Sequence, residues 1–161
     1  RLKALGLKVA LDSSGEALRA GLQSAPWLVK PNTEELGEVL GQAVDNPAQQ
    51  RAAAEQLLSR GVEHVVVSAG DQGVSWFARD LALHACPPKV RVASTVGAGD
   101  SLVAGMVHGL LQGEAPAHTL ARATAIAAQA VTQVGFGIRD REQLARLEAA
   151  VQLTEQQEGC R

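Results

Sequence analysis

The chain has 161 residues, of which 46% are hydrophobic and 20% charged, and this balance predicts one globular domain with its own core. A net charge of −2, with two Phe, two Trp and no Tyr, excludes a basic or base-stacking surface, so we expect no nucleic-acid partner. No apolar run has the length of a transmembrane helix and no signal peptide is visible, so we expect no membrane partner and a cytoplasmic location.

Short strands alternate with helices in the first half of the chain. Pro31 ends the second strand, and Gly61 ends the third helix. The β-branched run at 64–68 indicates a buried, parallel strand. The predicted strands are 8–11, 27–30 and 64–68, and the predicted helices are 16–22, 33–40 and 48–60.

The second half begins with a hairpin and continues as helices. Polar Arg79-Asp80 separates the two hairpin strands, 74–78 and 81–85. The predicted helices run from Asp100 to Gly113, over 117–134 and over 141–151, and we expect a disordered polar tail at 154–161. The whole pattern favours an open α/β fold with a mostly parallel sheet and helices on both faces. In such a sheet ligands bind at the carboxyl ends of the strands.

The most specific motif is Gly97-Ala98-Gly99-Asp100, which leads into an apolar helix. Glycines let the backbone approach a ligand closely, and the first N–H groups of a helix can bind an anion such as a phosphate. A carboxylate at the same corner could accept a proton from a nucleophile that attacks the phosphate. The structural alternative is a plain turn followed by an Asp that caps the helix.

Two further clusters follow predicted strands. Ser68-Ala69-Gly70-Asp71-Gln72-Gly73 has the spacing Ser-x-Gly-x-x-Gly, which suits close passage of the backbone beside a nucleotide but also an ordinary β-turn. Lys30-Pro31-Asn32-Thr33-Glu34-Glu35 starts a helix. Asn32 and Glu35 have the spacing of a capping pair, and Glu35 is also an oxygen ligand of the kind that magnesium prefers. Asp12-Ser13-Ser14-Gly15 favours a turn.

The stretch 94–107, which contains Gly97-Ala98-Gly99-Asp100, resembles the C-terminal signature of the PfkB (ribokinase-like) family of carbohydrate kinases, and the other two clusters resemble further segments of that family. Ser94, Thr95, Ala104 and Gly105 also fit that signature. The resemblance implies an ATP-dependent kinase for a small sugar phosphate, with ATP and Mg2+ as cofactors and a homodimer as one possible assembly of the full-length protein. It implies that Asp100 is the catalytic base and that the backbone of Gly97, Ala98 and Gly99 stabilises the transferring phosphoryl group. It places Glu35 and Asn32 at the magnesium ion. The residues that it places at ATP are Lys30, Asn32, Ser68, Ala69, Gly70, Asp71, Gln72, Gly73 and Gly99.

The resemblance extends from Asp12 to about Leu147. Arg1 to Gly6 indicates the end of a helix, so we expect a C-terminal portion of a longer kinase, without its lid and without most of its sugar contacts. Such a portion should be inactive by itself. The alternatives are a kinase of the same family that acts on another sugar phosphate and a non-catalytic nucleotide-binding module, although a pure binder needs no Asp100. A Rossmann domain is disfavoured, because no Gly-x-Gly-x-x-Gly joins a first strand to a helix.

Overall fold

The computed structural model describes residues 2–135 and 137–156. Among them, residues 2–69 and 75–82 form one compact unit, and residues 70–74, 83–135 and 137–156 form a second. The helices are α1 (Gly15–Leu22), α2 (Thr33–Leu40), α3 (Pro47–Ser59), α4 (Ala98–Gln112), α5 (Pro116–Val131) and α6 (Arg141–Ala150). The strands are β1 (Ala10–Leu11), β2 (Leu28–Val29), β3 (His64–Ser68), β4 (Val74–Ala78), β5 (Leu81–Cys86) and β6 (Gln152–Glu155).

The six strands form one sheet in chain order, from β1 to β6. β1 pairs with β2 and β2 with β3 in parallel, whereas β5 and β6 are antiparallel. Only two residues join β4 to β5, which is the connection of an antiparallel hairpin. The predicted open α/β sheet is therefore confirmed, and its strands pair in both orientations.

The core of the first unit surrounds β3, whose Val65 and Val67 are fully buried. α1 and α2 turn their apolar faces to this core. The side chains that they bury in it are Leu18, Leu22, Leu36 and Val39. α3 contributes Ala53, Ala54 and Leu57. Because apolar burial is the dominant favourable term in folding, this core holds the carboxyl ends of β1, β2 and β3 in fixed register.

In the second unit α4 packs closely on α5. A Cβ placed on Gly105 would lie 2.7 Å from Cα of Ala123, and one on Gly109 would lie 2.6 Å from Oγ1 of Thr119. The buried Gln129 then ties α5 to the start of α6, because its amide donates to the carbonyl of Asp140 at 2.6 Å and to Gln143 Oε1 at 3.0 Å. The two glycines thus set how near the backbones of α4 and α5 can come.

The structure corrects the expected tail. Thr154 and Glu155 belong to β6, which pairs with β5 in the register Cys86↔Gln152. All four residues of β6 are exposed, so backbone pairing with β5 holds them and not burial. Residues 157–161 of the expected tail lie outside the described residues. α5 also ends at Val131, three residues before the predicted end.

Trp27 and Trp76 are core residues, and the His64 ring lies against both, with centroids 5.3 and 5.7 Å apart. Nδ1 of His64 is buried without a hydrogen-bond partner among the described residues. Burial lowers the pKa of His64 from 6.5, with Glu63 raising it and Lys8 lowering it further. Among the described residues, no helix is long and apolar enough to cross a membrane.

We expect acid to destabilise the first unit through His64. The folded state resists protonation that the unfolded chain accepts near pH 6.5, so the stabilisation is present above that pH and is lost as the pH falls through the lower folded pKa. Melting temperatures from pH 7.5 to 5.0 should fall less steeply in His64→Phe than in the wild type. Burial also lowers the pKa of His84, so the melting temperature of His64→Phe should still fall somewhat as the pH is lowered. Exposed His108→Phe is the control, and equal slopes in all three proteins would contradict the assignment to His64.

Candidate functional site

Two charged side chains follow the parallel strands β1 and β2 in the first unit. Leu11 and Val29 are register partners, and Leu11 O accepts from Lys30 N at 3.1 Å. Asp12 and Lys30, the next residues of the two strands, form an ion pair of 3.3 Å. The Lys30 side chain is only 7% exposed, so Asp12 holds a buried cation at this edge of the sheet. The sequence favoured a turn at Asp12. The ion pair with Lys30 could have been inferred only from the register of β1 and β2.

Asn32 and Glu35 form the capping pair that their spacing predicts. Asn32 Oδ1 accepts from Glu35 N at 2.7 Å, and Glu35 Oε2 accepts from Asn32 N at 2.8 Å. Asn32 also forms a parallel bridge with Ser68, whose N–H donates to Pro31 O at 3.1 Å. The first unit therefore brings the segment 30–35 together with the end of β3.

Ala69 is the last residue of the first unit's segment 2–69, and the loop Gly70–Gly73 belongs to the second unit. Gly70, Asp71 and Gln72 make one 3₁₀ turn, which Gly73 closes by donating its N–H to Gly70 O at 3.3 Å. Gly70 and Gly73 have φ of 56° and 107°, in the left-handed region that favours glycine. Asp71 and Gln72 are exposed and Gly73 is buried. The glycine spacing thus produces a tight turn with an exposed tip, which fits both a nucleotide loop and an ordinary connection.

The Gly97-Ala98-Gly99-Asp100 motif lies wholly in the second unit. Gly97 has φ of 83° and is the residue before α4, so the left-handed turn starts the helix without a side-chain cap. Among the described residues nothing accepts a hydrogen bond from the N–H of Gly99 or of Asp100. Asp100 lies in the first turn with its side chain exposed. Free backbone donors beside an accessible carboxylate are the arrangement that binds an anion next to a proton acceptor.

The end of α5 contacts the segment that precedes Gly97. The sequence did not indicate this contact. Val131 O accepts from Ala93 N at 2.7 Å and from Ser94 N at 3.2 Å. Ser94 Oγ in turn accepts from Val96 N at 3.2 Å. The small Ser94 side chain thus orders the turn before Gly97 locally. The contact with Val131 joins residues far apart in the chain, so no local pattern could predict it.

The comparisons with known proteins agree with the motifs. Residues 2–142 match the model of the pfkB family of carbohydrate kinases. The chain is 46% identical to the 1-phosphofructokinase of Vibrio cholerae over 96% of its own length and 49% of the relative's. It is 49% identical to that of Escherichia coli over 90% of its own length and 46% of the relative's.

A solved structure of phosphofructokinase-2 from Escherichia coli, in complex with substrates and products, superposes with a TM-score of 0.83 at 32% identity. The superposition covers 91% of this chain and 48% of that one. The chain spans about half the length of the curated relatives that it matches. With most of its residues covered by the family model, this chain belongs to the pfkB family of carbohydrate kinases.

Proposed function

We propose that this chain carries the nucleotide-binding and catalytic part of an ATP-dependent 1-phosphofructokinase. The reaction is transfer of the γ-phosphoryl group of ATP to the 6-hydroxyl of D-fructose 1-phosphate, which gives D-fructose 1,6-bisphosphate and ADP. The observation that carries the proposal is the exposed Asp100 in the first turn of α4, directly after the left-handed Gly97. The similarity to two 1-phosphofructokinases over nearly the whole chain supports this choice of sugar phosphate.

In this proposal Asp100 accepts the proton of the attacking hydroxyl group. The N–H groups of Gly97 and Gly99 donate to the oxygens of the transferring phosphoryl group, where negative charge is spread in the transition state. Their contribution is favourable because the donors are fixed before the reaction by the turn and by the start of α4. The N–H of Ala98 already donates to Thr95 O at 3.4 Å, so it joins them only when that long hydrogen bond is broken. Ser68, Gly70 and Gly73 line the nucleotide. The ammonium group of Lys30 is buried and paired with Asp12, so its charge is already balanced within the first unit.

Magnesium fits Glu35 better than Asn32. Asn32 Oδ1 and Glu35 Oε2 both accept from backbone N–H groups, so Glu35 has one carboxylate oxygen outside the capping pair. Magnesium keeps several waters and is held by few carboxylates, so contact through water suffices. The ion would neutralise charge on the ATP phosphates, and Glu35 would orient its water shell.

Glu35→Gln should raise the magnesium concentration needed for half-maximal rate severalfold, because a negative ligand becomes neutral while the amide oxygen can still accept from Asn32 N. The expected loss of stability is therefore below the ~1 kcal/mol of a removed cap. Glu34→Gln, the same change one residue earlier on an exposed side chain, is the control for helix charge. If both variants show the wild-type magnesium dependence, Glu35 only caps the helix.

The substrate is tested by assaying the full-length protein with ATP and each of three sugar phosphates. We expect the highest kcat/KM with fructose 1-phosphate. Because an Escherichia coli phosphofructokinase-2 is among the similar structures, fructose 6-phosphate is the second candidate, and tagatose 6-phosphate is the third sugar phosphate in the assay. ATP binding, seen as a thermal shift, without turnover of any sugar phosphate would favour a non-catalytic nucleotide-binding module. We also propose that the full-length protein forms a homodimer.

A further inference from the structure

His84 on β5 lies directly against the Gly70–Gly73 loop within the second unit. A Cβ placed on Gly73 would lie 3.1 Å from both Cε1 and Nε2 of the His84 ring, and it would collide with the carbonyl oxygen of Ala85. The last residue of the loop is therefore seated on β5 with no room for a side chain. A displacement of the ring would therefore change the packing around the backbone of Gly73.

The His84 ring is also tied to the loop by a hydrogen bond. Burial lowers the pKa of His84 from 6.5, and a hydrogen bond to the backbone of Gln72 opposes that shift in part. The ring is thus neutral at pH 7 and has one N–H to donate. Nε2 also lies 3.4 Å from Sγ of Cys86. The ring therefore has contacts with Gln72, with Gly73 and with Cys86.

This contact adds to the hydrogen bond from Gly73 N to Gly70 O that closes the turn. Gly70 and Gly73 both have positive φ, and glycine loses more conformational freedom on folding than any other residue. Asp71 and Gln72 at the tip are exposed. A loop that must present its backbone to a ligand binds more tightly when its bound shape is already fixed.

We infer that His84 is a positioning residue for ATP: through Gln72 and Gly73 it holds the Gly70–Gly73 loop in the shape that binds the nucleotide. The inference rests on the proposed function of that loop. His84 does not touch the reacting atoms, so its loss should change the affinity for ATP and leave the chemical step alone. If the ring only fills space, its loss should lower the stability of the protein and leave the affinity for ATP unchanged.

The test uses three substitutions. His84→Phe keeps a flat ring and removes the hydrogen bond, whereas Asn and Gln at position 84 place an amide N–H near the Nδ1 and Nε2 positions. Losing one hydrogen bond of ordinary strength predicts a rise of about 2- to 10-fold in KM for ATP in His84→Phe, with kcat unchanged. At least one of the two amide variants should recover a KM near the wild-type value. His108→Phe on the exposed face of α4 is the control.

A second measurement needs no activity: hydrogen exchange of the Gln72 and Gly73 amides in the nucleotide-free protein should be faster in His84→Phe than in the wild type and in the rescuing variant. Wild-type exchange and KM in His84→Phe would overturn the inference, and so would faster exchange with an unchanged KM. If the wild type turns over no ATP, the proposed function fails, while the exchange rates still report whether His84 holds the loop. If His84→Phe does not fold, the two amide variants carry both measurements. The variant whose amide reaches Gln72 should keep the wild-type KM and exchange, and the other should show a raised KM and faster exchange. The same KM and exchange in both variants would overturn the inference.

Discussion

Asp100→Asn lowers kcat by about 10²–10⁴-fold and leaves the affinity for ATP largely unchanged. The substitution keeps the shape of the side chain and removes the proton acceptor, and a positioned base contributes an acceleration of this size. The exposed position of Asp100 in the first turn of α4 leaves its carboxylate open to a bound hydroxyl group. Steady-state kinetics with ATP and fructose 1-phosphate give kcat, and nucleotide titration gives the affinity.

The competing explanation for Asp100 is a favourable charge at a helix N-terminus, and it predicts a different result. A carboxylate there stabilises a helix by about 0.3–1 kcal/mol, so Asp100→Asn would lower the melting temperature slightly and leave kcat within tenfold of the wild type. Asp45→Asn, the same change at an exposed position in the α2–α3 connection, controls for the loss of one surface charge. A kcat within tenfold of the wild type would remove Asp100 from the role of base.

Elements with local signals were predictable from the sequence, because the interactions that define them involve residues close together in the chain. α2 begins and ends where predicted, since Asn32 and Glu35 cap its start and Gly41, with φ of 67°, ends it. β3 was predicted at its observed bounds because five residues rich in β-branched side chains fill a buried strand. These elements also carry the candidate site residues of the first unit, at 30–35 and at 68.

Features that depend on pairing between distant segments were not predictable. β6 is polar and exposed, and only its hydrogen bonds to β5 make it a strand. The Asp12–Lys30 ion pair requires the register of β1 and β2. Among the site residues, the roles of Gly97, Asp100 and Glu35 come from the family resemblance, because the residues alone are also compatible with a turn or a helix cap.

Two physical effects predict opposite changes in stability when Gly105 is replaced by Ala. Gly105→Ala should stabilise α4 by about 1 kcal/mol, since Ala is the better helix former. The new Cβ, however, would lie 2.7 Å from Cα and 2.9 Å from Cβ of Ala123 on α5. Backbone atoms of a packed helix cannot move aside singly, so α4 and α5 must separate, and overpacking of this kind costs about 1–3 kcal/mol. We expect the steric cost to exceed the gain in helix propensity and the melting temperature to fall by several degrees.

Gly21 in α1 provides a matched comparison, because an added Cβ there would also make a short contact, 2.6 Å from Cδ2 of Leu11. That atom is the end of a flexible side chain, which can change rotamer at a cost of about 0.5–1.5 kcal/mol or less. Gly21→Ala should therefore be close to neutral, while Gly105→Ala is destabilising, although both substitutions add one methyl group inside a helix. Thermal and urea unfolding of the two variants measure the difference. Equal stability changes would mean that α4 and α5 can separate freely, and that the glycine at position 105 of the family signature is not there for close packing.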